Sequence, residues 1–152
     1  MGRLFIIFAE ERTSYWMMSA GKNFYMDEFG CLLKEGDEAY KRDNYNKAII
    51  CYEEAFKIAT GTTKFKFKSL LPMMARCYRK MGNSASVVNL AADAKKKFGR
   101  DVITSVFLTS IAAAYLDLGN HLDAQKCVDA AIMLENGKIS GPLQAVIDRI
   151  EK

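Results

Sequence analysis

The feature that most constrains this chain is one short pattern of apolar and small residues that occurs three times. In each copy, a turn with Asn directly after Asp or Gly separates two runs of small residues, and these turns are Asp43-Asn44, Gly82-Asn83 and Gly119-Asn120. Internal repeats of this size are typical of stacked helical arrays, because a single unit cannot bury its apolar face alone. The sequence therefore predicts an array, whose usual work is to hold another molecule.

Each copy predicts a pair of helices. The apolar and small positions recur at helical spacing, so they fall on one face, and small residues there allow two helices to approach closely. Gly and Asn accept the left-handed backbone that follows a helix end. The repeated positions are Leu32, Gly36, Ala39, Ala48, Tyr52 and Ala55, then Leu71, Ala75, Tyr78, Val87, Ala91 and Ala94, then Leu108, Ala112, Tyr115, Ala124, Val128 and Ala131.

We place the helices at 28–42 and 45–59, at 68–81 and 84–97, and at 102–117 and 121–134. A last helix is predicted at 141–151, where Ser140 can cap the first turn and Pro142 suits it. One face of this helix is apolar and the other is polar, as expected of a helix that closes an array. The apolar stripe consists of Leu143, Val146, Ile147 and Ile150.

These residues resemble the tetratricopeptide repeat (TPR), and the resemblance covers most of the chain. It implies an all-α fold, an α-solenoid of antiparallel helix pairs in a right-handed superhelix. Three pairs (28–59, 68–97 and 102–134) make up residues 28–136, and a capping helix occupies 140–152. The match is incomplete, since Ala39 replaces the usual Tyr and no copy ends in Pro. The turns are 39 and then 37 residues apart, against about 34 in the family.

Residues 1–27 do not fit the repeat. We predict a helical extension packed over the first pair, because an array must cover its exposed end. The alternatives are a self-association or partner-docking segment, given the apolar block Tyr15–Met18, and a strand at Arg3–Phe8.

Composition fits one globular domain. The chain has 152 residues, half of them apolar, which is enough for a real core. The run Leu4–Ala9 is too short to cross a bilayer, and it makes only a weak secretory signal. We expect a cytoplasmic protein with no membrane partner. The net charge of +4 is modest, and Lys64, Lys66 and Lys68 are interpreted as a solvated connector rather than a nucleic-acid site.

No residue pattern indicates catalysis. The single histidine, His121, lies at a predicted turn, and no glycine-rich phosphate loop is present. The four cysteines are widely separated without a Cys-x-x-Cys pair, which argues against zinc and disulfides. We therefore expect no enzyme activity, no metal and no cofactor.

The resemblance implies a concave groove lined by the first helix of each pair. Arg76 and Arg79 are three residues apart on one helix, a spacing that suits an acidic ligand, although both could be ordinary solvated arginines. The expected groove residues are Leu33, Asp37, Tyr40, Met73, Arg76, Arg79, Ser110, Ala113 and Leu116.

One known TPR function is predicted to be absent. Co-chaperones of this family grip the acidic tails of heat-shock chaperones with a clamp of Lys, Asn, Asn, Lys and Arg. All five positions depart from that clamp, so we expect no tight binding of such tails. The residues found at the clamp positions are Leu33, Asp37, Met73, Val106 and Ser110.

The leading functional hypothesis is a scaffold or adaptor that binds a peptide or helix of a partner protein, of acidic or apolar character, in the groove. One alternative is a small chaperone that shields a hydrophobic secretion client, which Met73, Met74 and Met81 would suit. Another is a self-associating structural module of a larger protein.

Overall fold

The structure, a computed structural model, describes residues 3–6, 14–19, 22–59 and 64–152, and it describes side chains for 27–59 and 69–152. The chain forms two compact units, Met1–Ala59 and Thr60–Lys152. Each unit contains helices packed around an apolar interior. The helix predicted within residues 1–27 is absent from the described part of that segment.

The first unit contains a small sheet and one helix pair. Strands β1 (Arg3–Ile6), β2 (Ser14–Ser19) and β3 (Lys22–Asp27) form an antiparallel sheet in the order β1-β2-β3. Helix α1 (Glu28–Lys41) follows directly, and then α2 (Tyr45–Ile58). Both β2 and β3 contact α1.

The sheet corrects the prediction of a helical extension. Two aromatic-rich runs lie on either side of Ala20-Gly21, and Ser19 pairs with Lys22 across the two strands. Aromatic runs with Gly between them are a hairpin signal, which outweighs the general need to cap an array. The alternative of a strand near the start holds for Arg3–Ile6. Residues 7 and 8 and the side chains of the apolar block lie outside the described residues.

A close contact between Gly36 and Tyr52 joins α1 to α2. A Cβ atom at Gly36 would lie only 2.5 Å from Cε1 of Tyr52, and the Tyr52 side chain is fully buried. Glycine is therefore required there by the tyrosine ring, not by the backbone. The other copies combine Ala75 with Ala91 and Ala112 with Val128, so a smaller partner allows a larger residue on the first helix.

The second unit contains five helices. They are α3 (Lys64–Lys80), α4 (Ser84–Phe98), α5 (Ser105–Asp117), α6 (His121–Leu134) and α7 (Gly141–Glu151). Helix α5 lies at the centre, since it contacts α3, α4, α6 and α7. The apolar residues Leu143 and Val146 of α7 are buried, and its opposite face is exposed.

Two helices begin at residues other than those predicted. Helix α3 begins at Lys64 instead of 68, because neither Gly nor Pro occurs between Lys64 and Leu71 to interrupt it. Helix α5 begins at Ser105 instead of 102, since Arg100–Val102 forms a separate 3-10 turn and Thr104 caps α5 by accepting a hydrogen bond from the Phe107 amide. The remaining helix ends lie within one residue of their predicted positions.

The Asn of each repeated turn serves two helices. Its backbone N–H donates to a carbonyl of the preceding helix, and the acceptors are Ala39, Tyr78 and Tyr115, at 2.8 to 2.9 Å. Its side-chain oxygen then caps the next helix by accepting from an amide three residues on. The residue before it is left-handed, with φ of 60° to 79°. This is a Schellman ending fused to an N-cap, which explains why the dipeptide recurs.

Candidate functional site

Predicted groove residues of the first unit are partly engaged within α1 and α2. The hydroxyl of Tyr52 donates to Asp37 Oδ1 at 2.5 Å, so this carboxylate satisfies a buried tyrosine. Tyr40 is half-buried and stacks edge-to-face on Tyr45, with ring centroids 5.3 Å apart. Leu33 is half-buried. Of the three, Asp37 is exposed but already has a structural role.

On α3, Arg76 is the predicted groove residue most open to solvent. Its side chain is exposed, and its only polar contact among the described residues is a long one of 3.9 Å from Nη1 to Met73 Sδ. Met73 itself is half-buried, while the neighbouring Met74 is buried in the core. Arg76 therefore offers an uncommitted cation beside an apolar side chain.

On α5, the predicted groove residues divide into a surface stripe and the core. The surface stripe lies along one face of α5, since its residues are spaced at i, i+4 and i+11. It consists of Val106, Ser110 and Asp117, which are exposed or half-exposed. Ala113 and Leu116 are buried. They belong to the core of the second unit instead of a partner-facing surface, because four helices surround α5.

A cluster of four polar side chains joins the ends of four helices, and we call it the arginine junction. Asp117, in the last turn of α5, accepts from Arg79 of α3, Ser84 of α4 and Arg149 of α7. The distances are 2.8 Å from Arg79 Nε and 2.7 Å from Ser84 Oγ to Asp117 Oδ2, and 2.9 Å from Arg149 Nη2 to Oδ1. A second contact from Arg79 Nη2 to Oδ1 is 3.4 Å long. Since Asp117 ends the surface stripe of α5, that stripe faces the side on which α3 and α7 lie.

Electrostatics fix the charge of Asp117. Partial burial alone would raise the pKa of this carboxyl, but the hydrogen bonds from Arg79, Ser84 and Arg149 outweigh it and lower the pKa to about 2. Asp117 is therefore ionised at neutral pH. One carboxylate faces two guanidinium groups, so the junction carries a net positive charge.

The arginine junction changes the expectation for Arg79. The sequence predicts Arg79 beside Arg76 as a pair of free donors, whereas Nε and Nη2 of Arg79 are directed to Asp117. The sequence contains one signal for the contact between Arg79 and Asp117. The residues of α1 and α3 that correspond to Asp117 are Lys41 and Lys80, whose positive charge suits the negative end of a helix. Asp117 places a negative charge at the same position of α5. An acid at an unfavourable helix end indicates a basic partner elsewhere in the fold.

A shallow depression of about 460 Å³ lies beside the arginine junction. Arg79 and Asp117 form part of its wall, and Leu118, which is 50% exposed, adds an apolar side. The start of α4 forms the rest of the wall, through residues Asn83, Ser84 and Ala85 after Gly82. The depression thus combines a cation, an anion and an apolar surface.

The cysteines occupy packing positions. Cys31, Cys51 and Cys77 are buried, and burial, with a smaller contribution from Asp123, raises the pKa of the Cys127 thiol to about 11. A thiol with that pKa is protonated at neutral pH and is a poor nucleophile.

The described part of the chain has neither a metal-binding cluster nor a membrane-spanning helix. No cluster of three or more His, Cys, Asp or Glu side chains there could hold a metal ion. No helix there has the length and apolar character to cross a bilayer. The side chains of Lys64, Lys66 and Lys68 lie outside the described residues.

Comparison with known proteins bears on the fold. No family model matches the sequence, and no curated protein does. Among solved structures, the chain is similar to the crystal structure of the Sgt2 TPR domain from Aspergillus fumigatus, with 23% sequence identity and a TM-score of 0.66. The similarity covers 83% of this chain and 78% of that one. The predicted fold is confirmed: the chain has the fold of a tetratricopeptide repeat domain, an α-solenoid of antiparallel helix pairs, here preceded by a small sheet.

Proposed function

We propose that this chain is a non-catalytic interaction module that binds a peptide or helix of a partner protein. The binding surface is the side of the second unit on which α3, α5 and α7 lie, and we call it the first-helix face. The observation that carries the proposal is the combination of Arg76, exposed and without an ion pair in the described residues, with Val106, which is 55% exposed on the neighbouring helix. An exposed cation and an exposed apolar side chain on neighbouring helices suit a ligand that is partly acidic and partly apolar.

The proposal excludes the tail clamp of chaperone partners. Asp37 accepts the Tyr52 hydroxyl, and Ser110 Oγ donates to the Val106 carbonyl of its own helix at 3.4 Å. Neither supplies the amide or ammonium group that a terminal carboxylate requires, so we expect no tight binding of acidic heat-shock chaperone tails. A cytoplasmic location is part of the proposal, because the four cysteines are widely separated in the sequence without a Cys-x-x-Cys pair, a pattern that argues against a disulfide framework.

Affinity capture with mass spectrometry tests the proposal. The bait is the full chain, compared with an Arg76→Glu, Val106→Asp variant, and Lys126→Glu on α6 serves as a matched surface control. We expect a partner that the wild type and the control recover equally and that the double variant recovers at least about tenfold less. Equal recovery by all three baits would contradict the proposed face.

Affinity capture also tests the chaperone alternative, and sedimentation tests the self-associating module. A hydrophobic client that stays soluble only with this chain, and whose capture does not depend on Arg76, would indicate the chaperone. Sedimentation across a range of concentrations tests self-association, because a dimer or larger species must grow with concentration.

A further inference from the structure

The arginine junction has more positive charge than its own carboxylate can neutralise. Asp117 contributes one negative charge, while Arg79 and Arg149 contribute two positive charges. The side chains of these arginines are 34% and 42% exposed, so both reach solvent. An additional anion can therefore bind there without burying an isolated charge.

Both guanidinium groups also have N–H donors that Asp117 does not occupy. Each carries five N–H bonds. Arg79 directs Nε and Nη2 to Asp117, and Arg149 directs Nη2 to it. Within the described residues neither group has another acceptor. Because Asp117 holds both groups in place, a ligand that binds the remaining donors loses less side-chain entropy than it would on free arginines.

The shape of the adjoining surface indicates what the ligand looks like. The depression of about 460 Å³ places the Arg79 wall beside the exposed apolar side of Leu118. Its volume falls within the range of about 300 to 1,000 Å³ found for ligand sites. A ligand carboxylate could pair with Arg79 while an apolar side chain of the same ligand packs on Leu118.

The charge of the unit favours the same occupant. Residues 60–152 contain fourteen Lys and Arg against eight Asp and Glu, a net of +6. The rest of the chain contains eight against ten, a net of −2. Long-range attraction would therefore steer an acidic segment toward the second unit.

We propose that the depression beside the arginine junction binds a segment of a partner protein in which Asp or Glu lies next to an apolar residue. The acid pairs with Arg79, and the apolar residue packs on Leu118. Arg149 is a positioning residue, because its charge neutralises Asp117 and leaves that of Arg79 available to the partner. This inference rests on the proposed function, and it adds the chemistry of the ligand and a role for α7.

Peptide selection on the full chain tests the inference. A displayed library of random peptides is selected on the wild type, and the best binder is synthesised together with its isostere, in which Asn or Gln replaces Asp or Glu. We expect selected peptides to carry an acid within two residues of Leu, Ile, Met or Phe, and the isostere to bind roughly tenfold more weakly or worse, because charge-assisted hydrogen bonds are about twice as strong as neutral ones.

Variants then separate binding from simple stability. Arg149→Gln should weaken the acidic peptide several-fold and leave the isostere unchanged, while Arg149→Lys should keep most of the preference and Lys126→Gln on α6 should change neither. If Arg149→Gln does not fold, the salt dependence of the two peptides on the wild type decides, since only the acidic one should weaken with salt.

Each result has one meaning. Selected peptides without acids, equal weakening of both peptides by Arg149→Gln, or equal salt dependence would overturn the inference and leave the proposed function standing. A library from which nothing is selected would count against both.

Discussion

The first helix pair and the end of α5 share one sequence frame but are stabilised by different interactions. In the pair α1–α2, the contact is local and mostly apolar, with Tyr52 packed on Gly36 and its hydroxyl on Asp37. At the end of α5, the contact is polar and reaches residues more than thirty positions away through Asp117. The repeat therefore specifies helices and turns, while each copy supplies its own close contacts.

The largest expected effect is in the first pair. Tyr52→Ala removes a fully buried ring, and we expect the free energy of unfolding to fall by about 3–5 kcal/mol, the usual result of a large cavity. Tyr52→Phe loses only the hydrogen bond to Asp37 and should cost about 1 kcal/mol. Urea denaturation measures both, and equal losses would show that the packing of the ring stabilises the pair no more than its hydroxyl does.

The second largest effect is in the arginine junction. Since folding lowers the pKa of Asp117 from 3.8 to about 2, its contribution to stability is present above pH 4 and is lost as the pH falls through 2. Asp117→Asn should cost about 1–2 kcal/mol at pH 7, less than the full pKa shift implies because water screens this partly exposed carboxylate, and little at pH 2. Thermal unfolding across this pH range is the measurement.

Asp129→Asn is the control for that prediction. Asp129 is exposed on α6, and among the described residues its carboxylate accepts only from Gln125, at 2.8 Å. We expect a change within about 0.5 kcal/mol that does not vary with pH in the same way. A pH profile of Asp117→Asn parallel to that of the wild type would show that the junction does not stabilise the second unit.

A third change tests whether the size of the residue at position 36 of α1 is limited by the size of its partner at position 52 of α2. Gly36→Ala places a methyl group against the Tyr52 ring, which overpacks the site, although Ala favours a helix more than Gly. We expect a net loss of about 1–2 kcal/mol. Adding Tyr52→Val recreates the combination found in the third copy, so the double variant should be more stable than the sum of the single losses. Strict additivity would refute a direct contact.

The smallest effect concerns the turns. Asp43 has a φ of 60°, and Gly82, at the matching place in the second copy, has a φ of 75°. Gly82→Asp should cost about 1 kcal/mol, because side chains disfavour this backbone. Asp43→Gly should be neutral or slightly stabilising, since relief of strain offsets the lost hydrogen bond from Tyr45. Thermal unfolding of the two variants is compared, and equal losses would show that Asp43 has another role.

The parts of the fold that sequence could predict are those specified by short-range patterns. The positions of the helices follow from periodicity, and Asn44, Asn83 and Asn120 mark the turns because one residue ends a helix and caps the next. Strands β2 and β3 differ from the predicted helix, because Gly21 between two aromatic runs is a local hairpin signal that outweighs the general need to cap an array. A strand near Arg3 was one of the predicted alternatives.

The candidate site was only partly predictable, because it depends on long-range contacts. Arg76 was assigned to the groove by the resemblance to the tetratricopeptide repeat, and its side chain is exposed. The partner of Arg79 lies 38 residues away, and only the unusual acid at the end of α5 suggested it. Ala113 and Leu116 were assigned to the groove by analogy, although α5 is apolar on nearly every face, which indicates a buried helix.

The most direct test of the account is to map the bound surface by hydrogen–deuterium exchange, with the best peptide from the selection bound to the full chain. We predict slower exchange in the last turns of α3 and α5, at the start of α4 and in α7, with little change in α1 and α2. Protection confined to residues 28–58, or to α6 with the ends of α3 and α5 unchanged, would contradict the proposal that the second unit binds the partner on its first-helix face.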